Sequence, residues 1–206
     1  LYYGGYLRIP SKEDMSTSDK LIISKGHASM VHYPVLADLG CIDRGEWERW
    51  GRGPSQLRVF ANISIPGIAA SMGSLGHGVG IGSGYALSHR KRGIDRRVFV
   101  VLSEGELYEG STWEGLLFAA HHRLENLHII LDRNQLIILG KSEECVALEP
   151  IVSKFESFGL RTLICDGHDF QDIFRCMDAM ITGGGPTCLI ANTVKGKGFS
   201  VMENDP

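Results

Sequence analysis

The chain of 206 residues suits a single domain, residues 1–206, large enough for a substantial core. Its 43% hydrophobic and 22% charged residues are the composition of an ordinary soluble globular protein. A net charge of −3 gives no electrostatic case for nucleic acid or an anionic membrane, and no apolar run approaches the length of a bilayer span.

In chain order, Leu1 to Leu7 reads as the end of a helix and Pro10 to Asp19 as a polar loop. Leu21-Ile22-Ile23 is a short extended run leading into Ser24-Lys25-Gly26-His27-Ala28. A helical pattern then covers Ser29 to Leu39 and stops at Gly40, a good C-terminal glycine. Pro66 to Gly78 is glycine-rich and holds Gly73-Ser74-Leu75. Gly78, Gly80, Gly82 and Gly84 follow in a helix through Leu87. Each interior glycine costs about 1 kcal/mol against alanine, so close backbone packing must offset them, in the core or across a subunit interface. Ser83 stands where the third glycine of a dinucleotide fingerprint would fall, which argues against a Rossmann dehydrogenase. His89-Arg90-Lys91-Arg92 with Arg96-Arg97 reads as a solvated basic loop at a helix C-terminus.

Arg97 to Leu102 is a β-branched apolar run, hence a buried strand. It ends in Ser103-Glu104-Gly105-Glu106. Ser111 and Glu114 have capping-box spacing for the next helix, whose apolar face is Trp113, Leu117, Ala120 and Leu124. Leu127 to Leu131 is a second strand, ending in Asp132-Arg133-Asn134. Adjacent His121 and His122 do not share a helical face and have no third partner, which argues against zinc. A helix at about 150–158, a strand at Leu160–Cys165, a helix at about 170–181 and a strand at Thr187–Val194 complete the alternation. This implies a three-layer α/β/α fold around a mostly parallel, doubly wound sheet. Cys41, Cys145, Cys165, Cys176 and Cys188 are scattered without C-x-x-C spacing, so reduced thiols in a cytoplasm are expected rather than disulfides or zinc. No signal peptide is visible, and a sequence beginning at Leu1 leaves a preceding segment open.

The two central strands deliver Glu104 and Asn134, 30 residues apart, to one sheet edge, where open α/β sheets bind ligands. A carboxylate and an amide oxygen, both hard ligands, suit Mg²⁺ that also holds a phosphate group.

Glu104-Gly105-Glu106, Glu109-Gly110, Trp113-Glu114 and Asp132-x-Asn134 resemble the metal–diphosphate motif of thiamine diphosphate enzymes. The match is best to the amino-terminal, diphosphate-binding halves of two-component transketolases. Four further blocks occur in that family's order: Asp19 with Ser24-Lys25-Gly26-His27-Ala28, Pro66 to Gly78, Asp166-Gly167-His168-Asp169, and Thr193-x-Lys195-Gly196-Lys197-Gly198 with Met202-Glu203-Asn204. By this resemblance Glu104, Asn134 and the backbone carbonyl of Leu136 hold the metal, Mg²⁺ or the larger Ca²⁺. His27, Glu104, Gly105, Glu106 and Asn134 serve the diphosphate end, and Gly73, Ser74 and Leu75 lie against the aminopyrimidine ring. His27 and Glu109 are the catalytic candidates, the first toward diphosphate or sugar, the second toward the subunit interface and a proton relay.

Three departures stand out. Ser103-Glu104-Gly105 replaces Gly-Asp-Gly, Arg58-Val59-Phe60 stands where relatives have Gly-His-Pro, and Ala69 replaces an acid. The last two point away from the usual sugar-phosphate donor. Three functions are therefore compatible with the sequence. The first is a transketolase-like subunit that moves a two-carbon ketol unit from a ketose to an aldehyde, acting with a second polypeptide resembling the carboxyl-terminal half of transketolase in a heterotetramer. The second is another thiamine diphosphate reaction, such as 2-oxoacid decarboxylation or specialised sugar or natural-product chemistry. The third is a non-catalytic, degenerate partner subunit.

Overall fold

The strands of the main sheet pair only in parallel, through crossovers, and the helices in those crossovers set the layers. The computed structural model describes residues 1–8 and 18–206, so most of the expected loop at Pro10–Asp19 lies outside the described residues. The strands are β1 (Lys20–Ile23), β2 (Val98–Ser103), β3 (Leu127–Arg133), a small hairpin of β4 (Leu136–Ile137) and β5 (Gly140–Lys141), then β6 (Arg161–Asp166) and β7 (Thr187–Asn192). The helices are α1 (His32–Asp38), α2 (Arg44–Glu48), α3 (Gly78–Lys91), α4 (Gly110–His121), α5 (Ser142–Cys145), α6 (Ile151–Ser157) and α7 (Phe170–Thr182). The main sheet has the order β1-β2-β3-β7-β6, with every pair parallel.

Chain direction across the sheet explains the layering. From β1 to β2 to β3 the chain advances one way, and α3 and α4 lie on one face; α6, on the way to outermost β6, joins them. The return from β6 to β7 runs the other way, so a right-handed crossover places α7 on the opposite face. Side chains obey the strand period of two. Val98, Val100 and Leu102 enter the core under α3, α4 and α6, with Val79, Leu116 and Phe155. Phe99, Leu189 and Cys165 enter the second core, under α7, with Met177 and Met180. A third cluster packs Tyr33 and Leu36 of α1 against Leu57, Ile65 and Ile68.

The expected strands and main helices are present. Three local readings are corrected. Residues 1–7 form turns, with Gly5 at φ +72°, and bury Tyr6 and Leu7 in the second core. The expected helix at Ser29–Leu39 begins as a 3₁₀ turn over Gly26–Val31, and the α-helix starts at His32, with Pro34 in its first turn where no backbone N–H is required. In α4 the buried residues are Thr112, Gly115, Leu116 and Ala119, whereas Leu117 is exposed. Gly115 sets that face: a Cβ there would lie 2.9 Å from Val79 Cγ1 of α3.

Candidate functional site

Because the sheet is parallel, the carboxyl ends of β1, β2, β3 and β7 lie along one edge, with Ser103 level with Asp132 and Asp132 level with Ala191. β2 runs from that edge into a 3₁₀ turn, Glu104–Tyr108, closed by a capping box between Ser103 and Glu106. The capping box expected at Ser111 and Glu114 is absent; Ser111 Oγ donates instead to the Gly76 carbonyl at 3.0 Å.

Glu106 is fully buried. Its Oε1 accepts from the Ser24 hydroxyl and from Gly76 N–H at 3.0 Å, and its Oε2 accepts from Ser103 N–H at 2.9 Å. Ser24 Oγ in turn accepts from Gly78 N–H at 3.1 Å. One carboxylate thus joins the end of β1, the 103–106 turn and the loop before α3. The sequence pattern puts Glu106 against the cofactor; in the structure both of its oxygens accept from the chain's own groups, and it braces the loops around the site.

Glu104 is 1% exposed. Its Oε2 accepts from Gln135 N–H at 2.7 Å and its Oε1 from the Ser142 hydroxyl. Asn134, just past β3, accepts Leu136 N–H on Oδ1 at 3.0 Å, an Asx turn that sets the direction of the β4–β5 hairpin. Glu104, Asn134 and Leu136 therefore belong to one neighbourhood at the ends of adjacent strands.

Gly26 brings the first block to the glycine-rich loop: a Cβ there would lie 2.6 Å from the Met72 carbonyl oxygen. Next to it His27 is exposed, and its pKa lies below the ordinary 6.5 because of partial burial first and then Lys25, with Glu106 pulling upward and Lys195 downward. Lys25 pairs with Asp132, whose other oxygen accepts from Thr193 Oγ1 at 2.5 Å. Gly73 and Ser74 are exposed and Leu75 is half-buried. Glu109 is exposed at the start of α4 and packs against Gly76, where a Cβ would meet Glu109 Cβ at 2.6 Å.

These residues suit a metal-bound diphosphate in their chemistry. A carboxylate has about four lone-pair positions; Ser142 and Gln135 take two, and Asn134 Oδ1 likewise keeps one beyond that given to Leu136. Carboxylate, amide and backbone carbonyl are all hard oxygen donors of the kind Mg²⁺ takes. A Cβ at Gly105 would meet Ile137 Cγ2 at 3.6 Å and Ser103 Oγ at 4.0 Å, both ordinary contacts, and one at Gly73 would meet nothing within 4 Å, so backbone is open at both places expected to face cofactor. Among the described residues no group of three or more His, Cys, Asp or Glu could hold a metal, so His121 and His122 form no such centre. Among the described residues no cysteine forms a disulfide, and Cys41, Cys165, Cys176 and Cys188 are buried. No helix among the described residues is long and apolar enough to cross a membrane.

Sequence reasoning missed Ser24, Tyr108 and Ser142. Ser24 stood inside a recognisable block; Ser142 belongs to no motif and meets Glu104 from 38 residues away.

Comparison with known proteins adds independent findings. A family model described as the thiamine diphosphate binding domain of transketolase matches residues 2–205. An apulose-4-phosphate transketolase component from Actinobacillus succinogenes, named as one subunit of that enzyme, is 35% identical over 189 residues, covering 91% of this chain and 68% of that subunit. A 6-deoxy-6-sulfo-D-fructose transketolase subunit from a Clostridium species is 32% identical over 187 residues, covering 90% of this chain and 68% of its own length. The crystal structure of Campylobacter jejuni transketolase superposes with a TM-score of 0.88 at 27% identity, covering 96% of this chain and 33% of that one. The chain thus spans about two thirds of the subunit relatives and one third of the solved transketolase.

Proposed function

This chain belongs to the transketolase family through its thiamine diphosphate-binding domain, and from that premise we propose that it is the diphosphate-holding subunit of a two-component transketolase. The observation that carries the reading is the convergence at one sheet edge of the Glu104 turn, Asn134 with Leu136, and the loop before α3: Glu106 joins the turn to that loop, and Glu104 joins the turn to Gln135, between Asn134 and Leu136. The relatives are named as single subunits of transketolases, which supports a second polypeptide.

In this reading Glu104, Asn134 and the Leu136 carbonyl hold Mg²⁺, or Ca²⁺ if the shell is wider. Gly105 leaves room for the diphosphate, and Gly73, Ser74 and Leu75 lie against the pyrimidine. When bound, the cofactor supplies the electron sink for carbon–carbon bond cleavage and transfer of a two-carbon ketol unit to an aldehyde. His27, whose pKa is lowered by partial burial and by Lys25, hydrogen-bonds diphosphate or sugar. Glu109, exposed beside Gly76, meets the partner and its proton relay. The partner resembles the carboxyl-terminal half of transketolase, in a heterotetramer with two copies of each chain. The relatives named above act on different sugars, so family membership does not fix the donor; Val59 and Phe60, 43% and 50% exposed, support a donor other than the usual sugar phosphate.

The test is ketol transfer by the chain alone and with the partner encoded beside it, together with calorimetry of thiamine diphosphate and Mg²⁺ on the complex. Turnover by the chain alone would overturn the two-component reading. A second reading, a non-catalytic partner subunit, is favoured by the burial of Glu104 where relatives carry the shorter acid; a complex that binds no cofactor would establish it.

A further inference from the structure

Glu104 does more than end β2. Its two oxygens are bound to residues on either side of the β4–β5 hairpin, Gln135 through its N–H and Ser142 through its hydroxyl. Those two residues are joined to each other, Ser142 N–H donating to the Gln135 carbonyl at 3.1 Å. The ring so formed is buttressed by Tyr108, whose single hydroxyl proton is shared between the Ser142 and Val146 carbonyls, each 3.0 Å away. Ser142 is completely buried, and Gln135 holds φ +62°, a left-handed conformation that a glutamine adopts only where its surroundings impose it. The segment closed by this ring begins one residue after Asn134 and contains Leu136.

We propose that Ser142 is a positioning residue for the metal-binding carboxylate. A glutamate reaches about 1.5 Å farther than an aspartate, one C–C bond. The buried hydroxyl of Ser142 takes up that added reach: it fixes one oxygen of Glu104 while Gln135 N–H fixes the other, so the carboxylate presents its remaining lone pairs in one orientation. The same ring fixes the backbone on which Leu136 offers its carbonyl and Asn134 its amide oxygen. Glutamate at position 104 and serine at 142 thus act as a pair, and an aspartate at 104 would fall short of the hydroxyl. The metal-binding half of this inference rests on the function proposed above; the ring itself does not.

The test is a double-mutant cycle on the assembled complex, reading Mg²⁺-dependent thiamine diphosphate affinity by calorimetry for wild type, Ser142→Ala, Glu104→Asp and the double variant. Loss of a hydrogen bond to a charged group should weaken binding about tenfold in Ser142→Ala. In the Glu104→Asp background the same change should cost less than about twofold, since the shorter acid does not reach the hydroxyl. Hydrogen exchange on the isolated chain supplies a second reading: Ser142→Ala should speed exchange across residues 135–146 and leave β2 and β3 protected. Ser142→Ala binding within twofold of wild type, or losing the same factor in both backgrounds, would overturn the proposal, as would unchanged exchange at 135–146. Failure of the functional reading looks different: wild type itself would bind no cofactor.

Discussion

The carboxylate of Glu106 accepts a hydrogen bond from the backbone N–H of Gly76 at 3.0 Å, across 30 residues of sequence. Its other oxygen takes Ser103 N–H at 2.9 Å. Both donors are backbone groups that cannot rotate away. In Glu106→Gln one of them must face the amide NH₂, whichever way the amide is turned. An unsatisfied buried donor costs about 1–3 kcal/mol, so the variant should melt several degrees lower, at about 2–4 °C per kcal/mol for a chain of this size. Faster hydrogen exchange at Gly76 should accompany it. A melting temperature within a degree of wild type would show that these contacts contribute nothing.

His27 is exposed, so its side chain adds little to the core. His27→Ala should shift stability by no more than about 0.5 kcal/mol while lowering ketol transfer by the complex roughly tenfold or more, the worth of one hydrogen bond to a charged group. Because its pKa lies below the ordinary value, the wild-type acid limb of the rate profile should begin below pH 6.5. A fallen melting temperature with unchanged turnover per folded molecule would make His27 structural.

What was legible in the sequence, and what was not, divides by the range of the interaction. β2 and β3 announce themselves because every second residue enters the same core, and that period is local. Glu104 and Asn134 fall at one edge because parallel strands must end together. The capping box was a different matter: Ser103 with Glu106 and Ser111 with Glu114 have the same spacing, and only the Gly76 carbonyl, distant in sequence, claims the Ser111 hydroxyl. The buried face of α4 was displaced for a similar reason. Leu117 is more apolar than Gly115, yet the close approach of Val79 selects the glycine. Ser142 leaves no pattern at all, since a single hydroxyl meeting a carboxylate across the fold has no periodicity.

His128 and His32 sit buried with pKa values near 4, lowered by burial and, for His128, also by Arg97. In the unfolded chain both return to about 6.5. As pH falls below that value the unfolded state takes up protons first, so stability is full above about pH 6.5 and is lost down to about pH 4, by at most about 3 kcal/mol for each group. His128→Leu, which keeps an apolar side chain beside Phe99, should remove its share. Melting temperatures measured from pH 7 to pH 4.5 should fall less steeply in the variant, and a parallel fall would exclude His128 as a source of the acid sensitivity.

The glycines of α3 divide between two faces. Gly82 points inward, where a Cβ would lie 2.5 Å from Val100 Cγ2, and a Cβ on Gly78 would overlap the Ser24 hydroxyl. Gly80 and Gly84, one turn apart, point outward, and a Cβ on either would meet nothing within 4 Å. Ile81, beside them on the helix, is exposed. A helical glycine costs about 1 kcal/mol against alanine; the close approach of Ser24 and Val100 offsets that at the inner pair, and nothing within the described residues offsets it at the outer pair. The signs of substitution should therefore differ. Gly82→Ala should destabilise the isolated chain, because Val100 is rigidly packed, whereas Gly80→Ala and Gly84→Ala should each stabilise it by about 0.5–1 kcal/mol. If the outer face closes against a second polypeptide, as the proposed function requires of some surface, Gly84→Leu should keep the chain folded and weaken assembly, measured by light scattering on the mixed subunits. Unaltered assembly by Gly84→Leu would place the interface elsewhere, and destabilisation by Gly84→Ala would show that the open face is packed in solution.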